Sequence, residues 1–308
     1  MKSSFAHFGG FGKLLLLVLM VFVSFMIFSL LALLAALPFM DFSLTSSPTE
    51  GLPLDVLKYF QIVQSFSVFI IPSLLAGLIF WGHMTRGIGF FQPRGSMVML
   101  SFLVIIAAQP LVSYLGIWNS QMQLPEALRG VEQWMEHSEN NARDIIYRFL
   151  DTPQTSLVIL NVLMIVILPA LGEEMLFRGV LQPVFHEWLR SKHLAVWITA
   201  FLFSAIHLQF FTFLPRFFLG LALGYLMLWG RNIWYPVAGH FANNLLSLIV
   251  FYSYRHTSPD INPLEPGAEE LSPFWLVPGL VLTIALFGHF FRQGNKLIKQ
   301  HTDVRQNN

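Results

Sequence analysis

From residue 172 to 179 the chain reads Gly172-Glu173-Glu174-Met175-Leu176-Phe177-Arg178-Gly179. Two carboxylates and a guanidinium thus follow directly on an apolar stretch at 156–171. An ionisable group in a membrane segment costs at least ~2.5–3.5 kcal/mol on insertion scales, so three together need partners or chemistry. More polar groups stand in apolar surroundings downstream: His207 within 201–211, then His240 and Asn244 within 235–251. A carboxylate, two imidazoles and an amide are the ingredients of a hydrolytic site inside a bilayer.

Helical geometry sorts these residues. Glu174 and Arg178 are four apart, share a face and can form an ion pair with Glu on the N-terminal side. Glu173 is rotated ~100° from Glu174, and its own i+3 and i+4 neighbours, Leu176 and Phe177, cannot pair with it. It must find a polar group on another helix, a water or a proton, which suits a general base. The competing reading is a structural Glu–Arg pair beside a protonated Glu. His207 reads as a mid-helix imidazole among Phe203, Phe210 and Phe211; packing and chemistry both fit it. His240 and Asn244 are four apart on one face. They supply two donors for an oxyanion, or else an interhelical hydrogen-bond pair. At ~1.5 Å per residue, Glu173 lies ~14 Å from a helix end near Gln182, His240 ~9 Å in from Trp234, and His207 ~21 Å in from His193. Three helices can therefore bring these groups to similar depth. Gly220 and Gly224 give a small-xxx-small face for close helix approach.

The elements that must position these residues are membrane helices. Hydrophobic residues make up 55% of the chain and charged residues 11%, against ~25% charged in soluble domains. The fold class is therefore all-α, a polytopic membrane protein in a single bundle. A span needs ~20 apolar residues, and eight are expected, at roughly 14–38, 58–82, 97–117, 155–182, 194–214, 216–230, 233–254 and 274–291. The first is too long for the ~7–15-residue core of a cleaved signal, so it reads as retained. Turn chemistry marks the linkers at Thr45-Ser46-Ser47-Pro48 and Ser258-Pro259-Asp260. The one long polar stretch, 118–153, has Leu128, Val131 and Trp134 at helical spacing; it reads as an amphipathic surface helix or a solvated connection. The chain divides into 1–154 (N-terminal helices and linker), 155–254 (the helices with the candidate site) and 255–308 (a last helix and basic tail). The absence of cysteine excludes disulfides, thiolate catalysis and palmitoylation.

With eight spans, one side holds eleven Lys/Arg and two acids, the other six and thirteen. The positive-inside rule then puts both termini in the cytoplasm. The expected location is a bacterial cytoplasmic (inner) membrane. The basic tail (Arg292, Lys296, Lys299, Arg305) needs no other cause, and no nucleic-acid partner is expected.

The three clusters together resemble the type II CAAX prenyl endopeptidase family, also known as the CPBP intramembrane protease or bacteriocin-processing family. Its pattern of EExxxR on one helix, FxxxH on the next and HxxxN further on is met by Glu173 to Arg178, Phe203 to His207 and His240 to Asn244. The resemblance covers about 155–250. It implies that Glu173 and His207 activate the attacking water, that His240 and Asn244 stabilise the tetrahedral oxyanion, and that Glu174 and Arg178 shape the site. It also raises a metal. Glu173, His207 and His240 could hold zinc as two imidazoles and a carboxylate, yet HExxH spacing is absent and Asn244 is a poor zinc ligand, so no cofactor is favoured. The expected partners are the lipid bilayer and a membrane-associated or prenylated peptide or protein substrate. Two other classes stay in view: a non-proteolytic bacteriocin-immunity or assembly factor on the same scaffold, and a proton-coupled transporter using Glu and His as relays.

Overall fold

The computed structural model describes residues 8–39, 53–151, 155–257 and 273–306. Among these, all regular structure is helical, because long apolar runs in lipid must satisfy their backbone internally. The helices are α1 (Gly10–Ala36), α2 (Leu54–Trp81), α3 (Gly95–Ser120), α4 (Arg129–Leu150), α5 (155–189), α6 (Lys192–Ala205), α7 (Phe213–Gly230), α8 (Trp234–Thr257) and α9 (Leu276–Gln306). The turn sequences at 45–48 and 258–260 lie outside the described residues.

Among the described residues, six helices are long and apolar enough to cross a membrane, so this is an integral membrane protein. The other two expected spans each have a helix but miss one requirement. Helix α8 has the length, at 24 residues, but its polar residues dilute its apolarity. Helix α6 is apolar but has only 14 residues, about 21 Å at ~1.5 Å per residue, short of a hydrocarbon core of ~30 Å. The expected span at 194–214 therefore stops early. The chain turns at Ile206 and His207, passes Leu208 in a left-handed conformation (φ 53°) and makes a short 3-10 turn at Phe210–Thr212 before α7. His207 is thus a turn residue at the end of α6, not a mid-helix one.

Helix α5 is the centre of the bundle. Every residue from Glu174 to Gln182 is buried, and Met175, Phe177, Val180 and Val184 share one apolar cluster with Phe80, Ile88 and Phe203. It continues past Gln182 to Leu189, which places Glu173 roughly 24 Å from that end, deeper than the ~14 Å expected. On the outside, α1 leaves Leu15, Val18, Leu19 and Phe22 mostly exposed, a surface suited to lipid.

The expected glycine face is present. A Cβ at Gly220 would stand 3.2 Å from Ala200 Cα, and one at Gly224 would stand 2.8 Å from Val196 Cγ1; α6 and α7 pack with their backbones in near contact. Both α2 and α5 contain wide π turns, at Ser65–Ile70, Val162–Ile167 and Phe177–Leu181. Each is followed by a proline, Pro72, Pro169 or Pro183. Proline has no N–H and crowds the preceding turn, so the helix accommodates it by widening rather than by ending. Buried polar groups are tied across helices: Lys58 Nζ donates to Asn161 Oδ1 at 2.9 Å, and Asn161 Nδ2 donates to the Phe149 carbonyl at 2.8 Å.

The polar stretch does form a helix, α4. Its Leu128, Val131 and Trp134 are about half exposed. It docks on the turn that carries His207. Ser138 Oγ donates to the Leu208 carbonyl at 3.0 Å, and the Trp134 and Phe210 rings lie 5.3 Å apart. The buried Glu139 accepts from the Phe211 N–H and the Thr212 hydroxyl, both at 3.3 Å.

Candidate active site

The two adjacent glutamates have different surroundings. Glu174 and Arg178 are fully buried and pair at 2.9 Å, as their spacing requires. The same oxygen, Glu174 Oε1, also accepts from His240 Nδ1 at 2.8 Å. Arg178 Nη2 continues to the Gly220 carbonyl at 3.1 Å, and Gln182, one turn on, reaches the Gly224 carbonyl at 3.1 Å. The glycine face is what lets these side chains touch the backbone of α7. The Arg178 guanidinium also lies 4.5 Å above the Phe203 ring, a cation–π contact strengthened by the dry setting. Phe203 in turn meets His207 and His240 edge-on, at 5.4 and 5.8 Å. The phenylalanine of FxxxH is therefore the apolar hub between the two imidazoles and the guanidinium.

Glu173 is left uncommitted. Its Oε2 is buried and has no hydrogen-bond partner. The charged groups in its electrostatic range are His240, Glu174, Arg178 and Arg216. His207 shares two of these neighbours, Arg216 and His240.

The ring nitrogens are oriented by their partners. His207 Nδ1 lies 2.7 Å from the Phe203 carbonyl. A carbonyl can only accept, so Nδ1 carries the hydrogen and Nε2 of the neutral ring keeps its lone pair. The contact also satisfies an orphan carbonyl at the end of α6. In His240, Nδ1 faces the Glu174 carboxylate, which leaves Nε2 uncommitted.

Asn244 is placed by a proline. Pro169 cannot supply the N–H that an α-helix would offer to the Ile165 carbonyl, and Asn244 Nδ2 donates there instead, at 3.2 Å. Asn244 Oδ1 accepts from Asn243 Nδ2 at 3.2 Å, and Asn243 Oδ1 accepts from Gln109 Nε2 at 3.2 Å. His240 and Asn244 share a face of α8, as their spacing demands, and this face lies along α5. One amide hydrogen of Asn244 is committed to Ile165; the other is uncommitted.

Beside this cluster lies a cavity of about 800 Å³ between α3, α7 and α8. Gln109, Asn243 and Arg216 supply polar groups to its wall, and Ile106, Leu219 and Val250 supply apolar ones. Arg216 escaped the sequence reading, although an ionisable residue just inside the apolar helix α7 is the same signal that flagged Glu173. Gln182 and Asn243 were also missed; only their four-residue and one-residue offsets from Arg178 and Asn244 hinted at them.

The zinc alternative fits poorly. Among the described residues, no group of three or more His, Asp or Glu stands close enough to hold a metal ion. His207 and His240 each turn Nδ1 to a protein oxygen and keep Nε2 free, an arrangement zinc ligands also use, so it is the spacing of the donors and not the ring orientation that disfavours the ion.

Comparison with known proteins agrees with the resemblance drawn from the motifs. Residues 155–246 match the family described as Rce1-like, type II CAAX prenyl endopeptidase. This segment, under a third of the chain, contains every motif residue discussed above and supports a membrane peptidase kind of function. A curated protein of Bacillus subtilis (strain 168), the uncharacterized protein YpbD, is 30% identical over 85 residues, which is 26% of this chain and 40% of that protein. The chain thus spans less than half of that relative. No solved structure matches this chain.

Proposed function

We propose that the protein is an intramembrane endopeptidase that hydrolyses a peptide bond in a membrane-associated or prenylated peptide substrate. The observation that carries this reading is the sorting of two adjacent carboxylates. Glu174 holds Arg178 and His240 through Oε1, whereas Glu173 has no ion pair or hydrogen bond to either oxygen among the described residues; the Oε2 atoms of both are buried and unbonded. Two carboxylates whose environments divide them in this way mark an acid–base assignment.

In this reading Glu173 and His207 activate a water. Its oxygen bonds to the scissile carbonyl carbon as its proton passes to Glu173 Oε2 or His207 Nε2. His240 Nε2, when protonated, and the second amide hydrogen of Asn244 donate to the oxyanion. Collapse of the tetrahedral species breaks the C–N bond, and the stored proton goes to the leaving nitrogen. The donor set contains no gathered metal site, so no step is routed through a metal ion.

The test is Glu173→Gln, which keeps shape and hydrogen bonding but cannot take the proton. General base catalysis contributes ~10²–10⁴-fold, so cleavage should fall by at least that much, with stability little changed. The substrate is found by comparing membrane proteomes with active protein and with the variant. Near wild-type turnover by Glu173→Gln would remove Glu173 from the role of base; no cleavage by the wild type, with a biological effect that survives Glu173→Gln, would leave the immunity-factor reading ahead.

A further inference from the structure

We infer that the cavity between α3, α7 and α8 is a substrate site built for an apolar peptide bearing a carboxylate, with Arg216 as its anchor. This deepens the peptidase reading and rests on it only for the identity of the ligand as a substrate. Three observations point to it. Among the described residues lining the cavity Arg216 is the sole charged one; the walls are otherwise apolar, with amides and hydroxyls such as Gln109, Asn243 and Ser113. The guanidinium is underused: Nη2 donates to Gln209 Oε1 at 2.6 Å, while Nη1 is buried and has no partner. Finally, among the described residues Arg216 has no ion pair.

Two acids, Glu139 and Glu173, lie in its electrostatic range, but neither bonds to it among the described residues; Glu139 turns its oxygens to the Phe211 N–H and the Thr212 hydroxyl. A buried charge without a paired counterion is costly, and a planar guanidinium with a free edge matches a carboxylate. The volume, about 800 Å³, falls in the range of pockets that enclose small ligands, ~300–1,000 Å³. Arg216 is also in range of His207, so a carboxylate held there would set the distance between the anchored end and the hydrolytic groups. That carboxylate could be the C-terminus of the peptide or an acidic side chain.

The experiment is a binding titration of the full-length protein in lipid nanodiscs, so it does not depend on turnover. The probes are three dye-labelled peptides: Leu-Val-Phe with a free carboxyl end, the same peptide as its carboxamide, and amidated Leu-Val-Glu. A charge-assisted hydrogen bond predicts roughly 10–100-fold tighter binding of a carboxylate form over the carboxamide. Tight binding of the free acid alone assigns a C-terminus; tight binding of amidated Leu-Val-Glu assigns a side chain. Arg216→Lys should keep a preference, and Arg216→Gln should reduce it to under about two-fold. If Arg216→Gln does not fold, Leu219→Trp serves instead: by filling the cavity it should abolish binding of all three probes. Equal binding of all three by the wild type, a preference that survives Arg216→Gln, or one that survives Leu219→Trp each overturns the inference. Carboxylate preference without any hydrolysis would sink the peptidase reading and not this one, and hydrolysis without preference the reverse.

Discussion

At the scale of single residues, the site is organised by which polar atoms are already committed. Arg178 is bonded to Glu174 and to the Gly220 carbonyl, and it covers the Phe203 ring. Arg178→Ala leaves the Glu174 carboxylate buried beside His240 alone. Removing one partner of a buried ion pair costs ~3–5 kcal/mol, so both folding yield and activity should fall. Thermal unfolding in detergent and a cleavage assay check this; full stability with full activity would show that the pair carries no weight. His207 is expected to act with Glu173 as one unit. His207→Ala should match the loss in Glu173→Gln, and the double variant should lose little more, because residues acting together are non-additive. Kinetics that multiply the two losses would separate their roles.

At the scale of elements, the π turns and prolines of α5 matter because they free backbone groups for other helices. Pro169 leaves the Ile165 carbonyl to Asn244. Pro169→Ala restores an N–H that competes for that carbonyl and lets the helix tighten. The substitution should not lower stability, since it removes a helix-breaking residue. Activity should nevertheless fall, by up to ~10²-fold, because small displacements of a catalytic group have effects of that size. Measured Tm and turnover for this variant, side by side with Asn244→Ala, decide the point. Unchanged turnover would mean that the Ile165 contact does not place Asn244. The short helix α6 has a comparable effect: by ending at Ala205 it frees the Phe203 carbonyl to hold the His207 ring.

At the scale of the whole molecule, a buried central helix is wrapped by helices whose outer faces are apolar, and the polar cluster lies inside. The Lys/Arg asymmetry predicts that both termini face the cytoplasm. Reporter fusions at the C-terminal tail and within 258–270 should therefore give opposite signals; the same signal from both would overturn the topology. Loss of activity on chelation, restored by zinc and accompanied by about one zinc per chain, would overturn the metal-free reading that the scattered donors favour.

The amino-acid sequence by itself determined the all-α membrane class, the Glu174–Arg178 pair, the glycine face of α7 and the residues that meet near Phe203. Each follows from local spacing: four residues bring two side chains to one helix face, and an apolar run of sufficient length must be helical in lipid. Only the tertiary structure decided that His240 pairs with Glu174 and leaves Glu173 free, that Asn244 answers Ile165, that His207 sits in a turn, and that Arg216 borders the cavity. These depend on the rotation and register of helices far apart in sequence. They also depend on breaks in helical hydrogen bonding, at Pro169 and at the end of α6, whose consequences are read by side chains on other elements. By length and composition, six of the eight expected spans stand out among the described residues, and α6 and α8 are the two that do not. Composition measures how apolar a segment is, whereas the length of α6 and the polarity of α8 reflect the site those helices had to build.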